Sequence, residues 1–401
     1  MDDVLITGLG VLSCLGRGVD AFRDGMAKAT SAPRPTTDPA ARMAVPLMYS
    51  VPTDSVPTGS ETLDGQPLGD GSRYALDVTR QALADAGLTG DGSDTVDADP
   101  RRVAVVIGTG MGDAGLHEEW RVGSRPERDA WSPTFSVASA VGRLVGAEGP
   151  NTSVSNACAA SGFAVSLAAD LIRSGEADVV VAGGAEAYSR VALGCFNRLG
   201  AVDPLRCRPF DADRAGTVFG EGAAALVLES AAHARRRSPE RVYARLAGAG
   251  WSCDAHHTTA IEPEGTQITR AMRRAVAEAG IGVQDLGCVV PHGTGTLIND
   301  TVESRALAGL LGPLVDERPL YSLKSLIGHT GGAAGALAAL SAALIVHHRE
   351  VPPNVARVNP DPECGVLLPE RTSPLKGGSV LVNAYAFGGN NVSLVLQEVA
   401  A

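Results

Sequence analysis

Apolar and polar positions alternate along the chain in blocks that predict a mixed α/β fold. Runs rich in Val, Leu, Ile and Ala predict buried strands: VLITGLG (4–10), VAVVIGTG (103–110), ADVVVAGG (177–184), AAALVLE (223–229), GCVVPHGTG (287–295) and GSVLVNAYAFGG (378–389). Between them a helical period recurs, most clearly over 74–87, 161–173, 269–280 and 333–348. Buried strands that alternate with helices are typical of α/β proteins with a parallel or mixed sheet. The Pro-, Thr-, Asp- and Gly-rich stretch 29–71 predicts a surface loop with short strands at most.

An internal repeat is the stronger signal. QALADAGL (81–88) is similar to RAVAEAGI (274–281), and a strand that ends in Gly-Thr-Gly follows each of them. ASGFAVSLAADLI (160–172) then matches AAGALAALSAALI (333–345), and VVVAGG (179–184) corresponds to VLVNAYAFGG (380–389). The matches keep the same order, so we expect two similar halves, about 1–245 and 246–401, packed as one pseudo-symmetric body.

The repeat also brings chemistry together. The small-residue segment VSNACAASG (154–162) carries Cys158, and the aligned segment GHTGGAAG of the second half carries His329. His292 ends the strand that precedes that second segment. A pseudo-two-fold axis places the two helix starts side by side, so we expect Cys158, His292 and His329 to converge.

Cys158 is the candidate nucleophile. It lies at a predicted helix start, where the positive end of the helix favours a thiolate. The small residues at 157 and 159–162 would leave room for a substrate. The alternative is a packing elbow with an inert, buried thiol.

The polar residues of the second half are candidates for binding an oxygen that gains negative charge. Neutral His292 and His329 side chains would donate hydrogen bonds to it, and Thr294 and Thr296 would hold a polar ligand arm. Lys324 precedes His329 and is one of only three lysines. Structural histidines and a solvated lysine are the alternatives.

Two further segments are typical of ordered loops. NAYAFGGNN (383–391) ends the last strand in a Gly-Gly turn whose N–H groups could complete an oxyanion hole, or that is only a turn. RPFDADRAGTVFGEGAAALVLE (208–229) has many charges beside glycines before a strand and predicts an ordered loop of ion pairs rather than catalysis.

Composition excludes several classes of protein. The formal charge of −11 argues against nucleic-acid binding, which needs clustered cations. The seven cysteines form no CxxC pair and fit neither a disulfide framework nor a zinc site, so we expect a reduced, cytoplasmic protein without a metal. The apolar stretches are too short or too Ala-rich to span a membrane, and the N-terminus lacks the basic region of a signal peptide.

Taken together, six segments resemble the β-ketoacyl-acyl-carrier-protein synthases, the condensing enzymes of fatty-acid and polyketide assembly. They are ITGLGVLSCLG, NACAASG, RPFDADRAG with FGEGA, HGTGT with ND, KSLIGHTGGAAG and NAYAFGGNN, spread over essentially the whole chain. The resemblance implies the thiolase fold, an α/β/α/β/α body of two pseudo-symmetric halves.

The resemblance also implies a role for each candidate residue. Cys158 would take the acyl chain from a carrier-protein thioester. His292 and His329 would promote decarboxylation of a malonyl thioester and stabilise the enolate, in a network ordered by Lys324.

The remaining implied roles concern binding. The backbone N–H groups of Cys158 and Phe387 would form the oxyanion hole, and Phe387 would gate the acyl pocket. Thr294 and Thr296 would contact the phosphopantetheine arm. No metal or organic cofactor is implied. The implied partners are acyl carrier protein and a second subunit, either identical or like a chain-length factor.

The chain departs from the family pattern at four positions. Ala338 stands where these synthases usually carry a glutamate paired with the lysine, which leaves the role of Lys324 less secure. Pro291 replaces an alanine, and Ala386 and Asn390 change the usual GFGGTN. These changes favour a ketosynthase of a type II polyketide or polyene system over a housekeeping fatty-acid enzyme. A non-catalytic chain-length-factor-like subunit is disfavoured, since such subunits typically lack the cysteine.

Overall fold

The computed structural model describes residues 3–58, 62–63, 65–89, 94–127 and 132–399. Strands β1 to β17 are, in chain order, Val4–Ser13, Gly16–Arg17, Arg34–Pro35, Leu47–Tyr49, Thr62–Leu63, Gln66–Pro67, Val103–Gly108, Asn151–Val154, Val179–Glu186, Phe219–Gly220, Gly222–Ser230, Ala244–Cys253, Leu286–Val290, Glu350–Val351, Ser373–Pro374, Ser379–Ala386 and Asn390–Gln397. Helices α1 to α11 are Val19–Lys28, Asp70–Ala86, Ala114–Arg121, Phe135–Val145, Ala160–Arg173, Arg190–Arg198, Ala231–Arg237, Thr266–Glu278, Leu297–Leu311, Leu323–Ile327 and Ala334–His348.

The main sheet has the same strand order in each half of the chain. Its order is β13-β16-β17-β12-β1-β11-β9-β7-β8, and a short antiparallel pairing of β1 with β12 joins the halves. The first half runs β1, α2, β7, α5, β9, β11, and the second runs β12, α8, β13, α11, β16, β17. The predicted pseudo-symmetric repeat is therefore confirmed. The boundary at 245/246 stays a prediction, and β12 begins at Ala244.

The helices form three layers around the two halves of the sheet. Helices α5 and α11 lie in a core that includes strand residues of both halves. Helices α2 and α4 pack on the outer face of the first half, and α8 and α9 pack on the outer face of the second. This is the α/β/α/β/α arrangement that the sequence predicts.

The two central helices cross at a pair of glycines that the repeat makes equivalent. A Cβ atom on Gly335 of α11 would lie 2.3 Å from the backbone nitrogen of Gly162 in α5. The hydroxyl of Ser161 accepts a hydrogen bond from the backbone N–H of Ala336 at 2.8 Å. Only residues without bulky side chains allow this approach, which fixes the two helix starts side by side.

The observed elements differ from the predicted ones in places. The four predicted helices are present, but α2 begins at Asp70 and α8 at Thr266. The hydrophobic pattern does not predict β12 or β17, which both lie inside the sheet. Predicted strands 103–110 and 287–295 end at Gly108 and Val290, so residues 109–110 and 291–295 lie in loops. The stretch 29–71 contains the short strands β3 to β6.

One helical stretch of the described residues is long and apolar enough to cross a membrane. It is Gly331–His348, which includes α11, and 89% of it is buried inside the protein. Its apolar character therefore matches its position in the central layer of the core.

Candidate active site

Cys158 lies in a sharp turn that enters the central helix α5. A 3-10 turn, Ala157–Ala159, precedes the helix, and Ala157 has a φ of 47°, which is unusual for a residue with a Cβ atom. Cys158 is the middle residue of this turn and is half-buried. Burial of the side chain raises its pKa to about 11, while the positive charge of Lys324 acts in the opposite direction. The thiol is therefore protonated at rest and must lose its proton when it attacks a substrate.

The small residues after Cys158 serve helix packing rather than substrate access. Ala159, Ala160 and Ser161 are fully buried, and Gly162 forms the crossing with α11. Of the five small residues predicted to clear space, only Ala157 lines a cavity beside the thiol. One segment therefore provides both the close helix packing and a half-buried cysteine that lines a cavity.

The loop that begins at His292 is held by two buried carboxylates of α9. Glu303 accepts the backbone N–H groups of His292 and Gly293, each at 2.8 Å. Asp300 accepts those of Thr294 and Gly295 at 3.0 and 3.1 Å. These bonds fix the loop 292–296 without using any atom of the His292 ring.

The two histidine rings are close, neutral and differently held. Their centroids are 5.7 Å apart and their planes are nearly perpendicular. Nδ1 of His292 accepts the backbone N–H of Tyr385 at 3.2 Å, so in the neutral ring the proton lies on Nε2. Nδ1 of His329 is buried and has no hydrogen-bond partner among the described residues. Burial lowers the pKa of each ring well below 6.5, and Lys324 lowers both further.

The backbone around His329 is also fixed. Its N–H donates to the carbonyl oxygen of Val218 at 2.8 Å, and its own carbonyl accepts from Gly220 at 3.0 Å. Gly328 has a φ of 72°, and a Cβ there would lie 2.5 Å from Tyr49. A glycine is therefore required just before the histidine.

Lys324 lies behind the histidines and not in the cavity. Its Nζ donates a hydrogen bond to the backbone carbonyl of His292 at 2.5 Å. Burial lowers its pKa, and Glu303 is the strongest charge that opposes this. Position 338 on α11 carries a buried alanine, and burial raises the pKa of Glu303 on α9 to about 7.

Two cavities meet at the thiol. The larger, of about 440 Å³, is lined by Cys158, both histidines, Thr294 and Thr296, among others. The smaller, of about 140 Å³, lies on the other side and is mainly apolar. Cys158, Phe196 and Phe387 line both cavities, so the thiol lies at their junction. The hydroxyl groups of Thr294 and Thr296 bond to each other at 2.9 Å.

Phe387 stands at that junction. It begins the turn Phe387–Gly389, in which Gly388 and Gly389 have φ values of 81° and 76°. Its ring stacks on Phe196 with centroids 5.4 Å apart. This position fits the gating role that the resemblance implies, which stays a prediction.

The segment after Leu205 is an ordered loop of ion pairs, as its composition predicts. Arg208 bonds to the fully buried Asp203 at 2.7 Å. Arg214 pairs with Asp361 and lies 3.8 Å from Asp300. The loop therefore connects to the same buried carboxylate that holds the histidine loop.

Sequence reasoning did not identify every residue of the site. The buried Glu186 accepts the backbone N–H groups of Gly110, Met111 and Gly332, which fixes the backbone around the smaller cavity. Asp300 belongs to the quoted ND motif, and the sequence predicts neither it nor Glu303 as a support of the loop. Within the described ranges, no group of His, Cys, Asp and Glu residues has the arrangement of a metal site.

Comparison with known proteins places this geometry in a family. The family described as "Beta-ketoacyl synthase, N-terminal domain" matches residues 1–234, and "Beta-ketoacyl synthase, C-terminal domain" matches residues 243–357. The tetracenomycin polyketide synthase ketoacyl synthase alpha subunit of Streptomyces glaucescens is 34% identical over 98% of the chain and 97% of that protein. The 3-oxoacyl-[acyl-carrier-protein] synthase 2 of Staphylococcus aureus (strain N315) is 31% identical over 99% of each.

Solved structures agree with the sequence matches. The structure of the ishigamide ketosynthase/chain length factor superposes with a TM-score of 0.89 at 33% identity and covers all of both chains. A type II polyketide ketosynthase bound to its acyl-carrier protein and a hexaketide superposes with a TM-score of 0.88 at 28% identity, over 99% of this chain and all of that one. The chain belongs to the β-ketoacyl synthase family of acyltransferases.

Proposed function

We propose that this member of the β-ketoacyl synthase family joins an acyl chain to a malonyl unit by decarboxylative Claisen condensation. The observation that carries the proposal is that Cys158, His292 and His329 line one cavity. The histidines are neutral there, because burial and the charge of Lys324 lower both pKa values. Cys158 also lines a second, apolar cavity, which can hold the acyl chain until the malonyl unit reacts with it.

In the first half-reaction Cys158 accepts the acyl chain. Its sulfur attacks the thioester carbonyl, the carbon–sulfur bond to the carrier arm breaks, and the thiol proton goes to the leaving thiolate. The backbone N–H groups of Cys158 and Phe387 would hold the oxyanion of the tetrahedral intermediate. The acyl chain then extends into the smaller cavity.

In the second half-reaction the histidines act on the malonyl thioester. The bond to the carboxylate carbon breaks, CO₂ leaves, and the electron pair stays on the α-carbon as an enolate. Nε2–H of His292 donates to the enolate oxygen, and His329 lies beside it. The α-carbon attacks the acyl-Cys158 carbonyl, the carbon–sulfur bond breaks, and the cysteine thiolate takes up a proton from solvent.

The carrier arm would pass through the larger cavity. Thr294 and Thr296 line it between the thiol and solvent-exposed Leu297 and Ile298, so their hydroxyls can contact the phosphopantetheine arm. The residues that carry these steps need no metal or organic cofactor. The substrates are attached to acyl carrier protein, and we infer a cytoplasmic enzyme.

The pathway is proposed from the relatives. Type II polyketide ketosynthases are similar over nearly the whole chain, and related structures contain a ketosynthase with its chain length factor or acyl-carrier protein. We therefore propose a type II polyketide system with discrete carrier proteins and a second subunit, identical or chain-length-factor-like. Fatty-acid elongation is the second candidate, supported by the similarity to the Staphylococcus aureus synthase.

Intact-protein mass spectrometry with acyl- and malonyl-carrier protein tests the chemistry. We expect an acyl adduct that Cys158→Ala abolishes, and a ketoacyl product that His292→Ala abolishes while the adduct remains. Acylation without condensation in the wild type would instead indicate an acyl-transfer enzyme. Absence of both signals in an assay that works with another synthase would reject the proposal.

A further inference from the structure

Tyr188 lies between the smaller, apolar cavity beside Cys158 and a second cavity. Tyr188 lines the apolar cavity beside Cys158 and also lines a neighbouring cavity of about 260 Å³. Charged side chains line that second space, among them Asp70, Arg73 and Arg125. Tyr188 therefore lies where the apolar cavity meets a cavity lined by charged residues.

The side chain of Tyr188 is held in place from outside the cavity. Its hydroxyl donates to Asp38 at 2.9 Å, and the same carboxylate accepts from Arg190 at 2.7 Å. Its backbone N–H donates to the buried Glu221 at 3.1 Å. Asp38 lies between strands β3 and β4, so a loop far away in the chain fixes the end of the cavity.

The apolar cavity offers no free side-chain donor to a polar acyl chain. Besides Cys158, the polar side chains that line it in the described part of the chain are Glu186, Tyr188 and Ser189. The Ser189 hydroxyl donates to Glu118 at 2.7 Å and accepts from a backbone N–H at 3.1 Å. Glu186 already accepts three backbone N–H groups. A buried ketone oxygen would thus lose its hydrogen bonds to water without replacement, which is unfavourable.

The volume limits the length of the chain. A cavity of about 140 Å³ is close to the roughly 150 Å³ that holds one benzene molecule in a protein core. This corresponds to about six carbon atoms, if the surrounding side chains keep their places.

We propose that Tyr188 is a specificity-determining residue that limits the acyl group on Cys158 to a reduced hydrocarbon chain of about six carbons. The proposal rests on the proposed function, because it needs Cys158 to carry an acyl chain. It names the substrate class of that site: a chain whose keto groups have been removed before transfer, so a reducing step must precede each reloading of the cysteine.

The test measures the rate of Cys158 acylation by intact mass for thioesters of butyryl, hexanoyl, decanoyl and 5-oxohexanoyl groups. Hexanoyl and 5-oxohexanoyl match in length and differ in one ketone. For the wild type we expect hexanoyl to react at least tenfold faster than either decanoyl or 5-oxohexanoyl. Tyr188→Ala should raise the decanoyl rate at least tenfold, and Tyr188→Leu should raise it less.

Two control variants separate the ring from its surroundings. Tyr188→Phe keeps the ring and loses the bond to Asp38, so the preference for hexanoyl should stay. Val191→Ala changes a residue of α6 that is 53% exposed and lies three positions after Tyr188, and no rate should change. Equal wild-type rates for all four thioesters, or an unchanged decanoyl rate in both Tyr188→Ala and Tyr188→Leu, would overturn this inference alone. No adduct with any thioester would overturn the proposed function with it.

Discussion

The close crossing of α5 and α11 predicts how much a substitution at Gly335 lowers the free energy of unfolding. Gly335→Ala would place a Cβ atom 2.3 Å from the nitrogen and 2.7 Å from the Cα of Gly162. Both are backbone atoms, so no side chain can rotate away and the helices must separate. Gly309→Ala is the matched control, because Gly309 lies exposed on α9 and its new Cβ would meet no atom within 4 Å.

The two changes should have opposite signs. Alanine in a helix interior is more favourable than glycine by about 1 kcal/mol, so Gly309→Ala should raise the free energy of unfolding by roughly 0.5–1 kcal/mol. At Gly335 the same gain is opposed by overpacking, which costs about 1–3 kcal/mol where neighbours can adjust and more against a rigid backbone. We expect Gly335→Ala to lower the free energy of unfolding by about 2 kcal/mol.

Urea unfolding followed by circular dichroism measures both variants against the wild type. The acylation rate of Cys158 should fall in Gly335→Ala, since α5 begins at Ala160, two residues after Cys158. It should stay unchanged in Gly309→Ala. If Gly335→Ala unfolds at the same or a higher urea concentration than the wild type, the close approach of the two helices is wrong.

Three further predictions concern the site. Burial lowers the pKa of His292 and His329, and Lys324→Met removes the charge that lowers both further. The pH below which decarboxylation of the malonyl thioester slows should therefore rise by about one unit. An unchanged pH profile would contradict this role of the lysine. Because the native His292 ring excludes a proton that the unfolded chain binds below about pH 6.5, its contribution to stability is complete above that pH and lost below it. Urea unfolding at about pH 7.5 and 5.5 should thus show a smaller loss in His292→Asn than in the wild type. Glu303→Gln turns one acceptor of the loop into a donor and should slow decarboxylation about 10–100-fold without slowing acylation of Cys158; equal losses in both assays would indicate general misfolding.

Much of the fold and site follows from the sequence because the repeat carries long-range information. Gly162 and Gly335 are equivalent in the matched segments, and their contact is the pseudo-two-fold relation itself. The same relation brings together Cys158 and His329, although the chain separates them widely. Motifs and repeat thus predict which side chains meet.

The hydrophobic pattern misses strand β12 because of the residues that the strand contains. Strand β12 reads ARLAGAGWSC, in which alanine and glycine replace the branched residues that mark a strand. Its Gly248 and Gly250 are needed because α8 lies directly on the strand: a Cβ at either would lie within 2.3 Å of a helix carbonyl oxygen. The glycines of β12 are explained by the packing of α8 on the strand, and the sequence of the strand alone does not reveal that packing.

The sequence also does not predict that Tyr188 lines the smaller cavity. Tyr188 follows a conspicuous strand, but its hydroxyl bonds to Asp38, which lies in a stretch that predicts only a surface loop. No repeat or spacing connects the two residues. Only the fold brings the β3–β4 loop against the wall of the cavity.

The chemistry at Cys158 follows from where the charges are buried. A thiol with a raised pKa and two rings with lowered pKa values make the resting site neutral apart from Lys324 and the carboxylates behind it. The lysine is bonded to the backbone carbonyl of His292 and does not line the cavity, so it acts by lowering further the histidine pKa values that burial already lowers. A neutral ring donates to an enolate without first giving it a proton, so the carbanion survives long enough to attack the acyl group. Glu303 of α9 acts against the burial that lowers the pKa of the lysine, while position 338 carries a buried alanine.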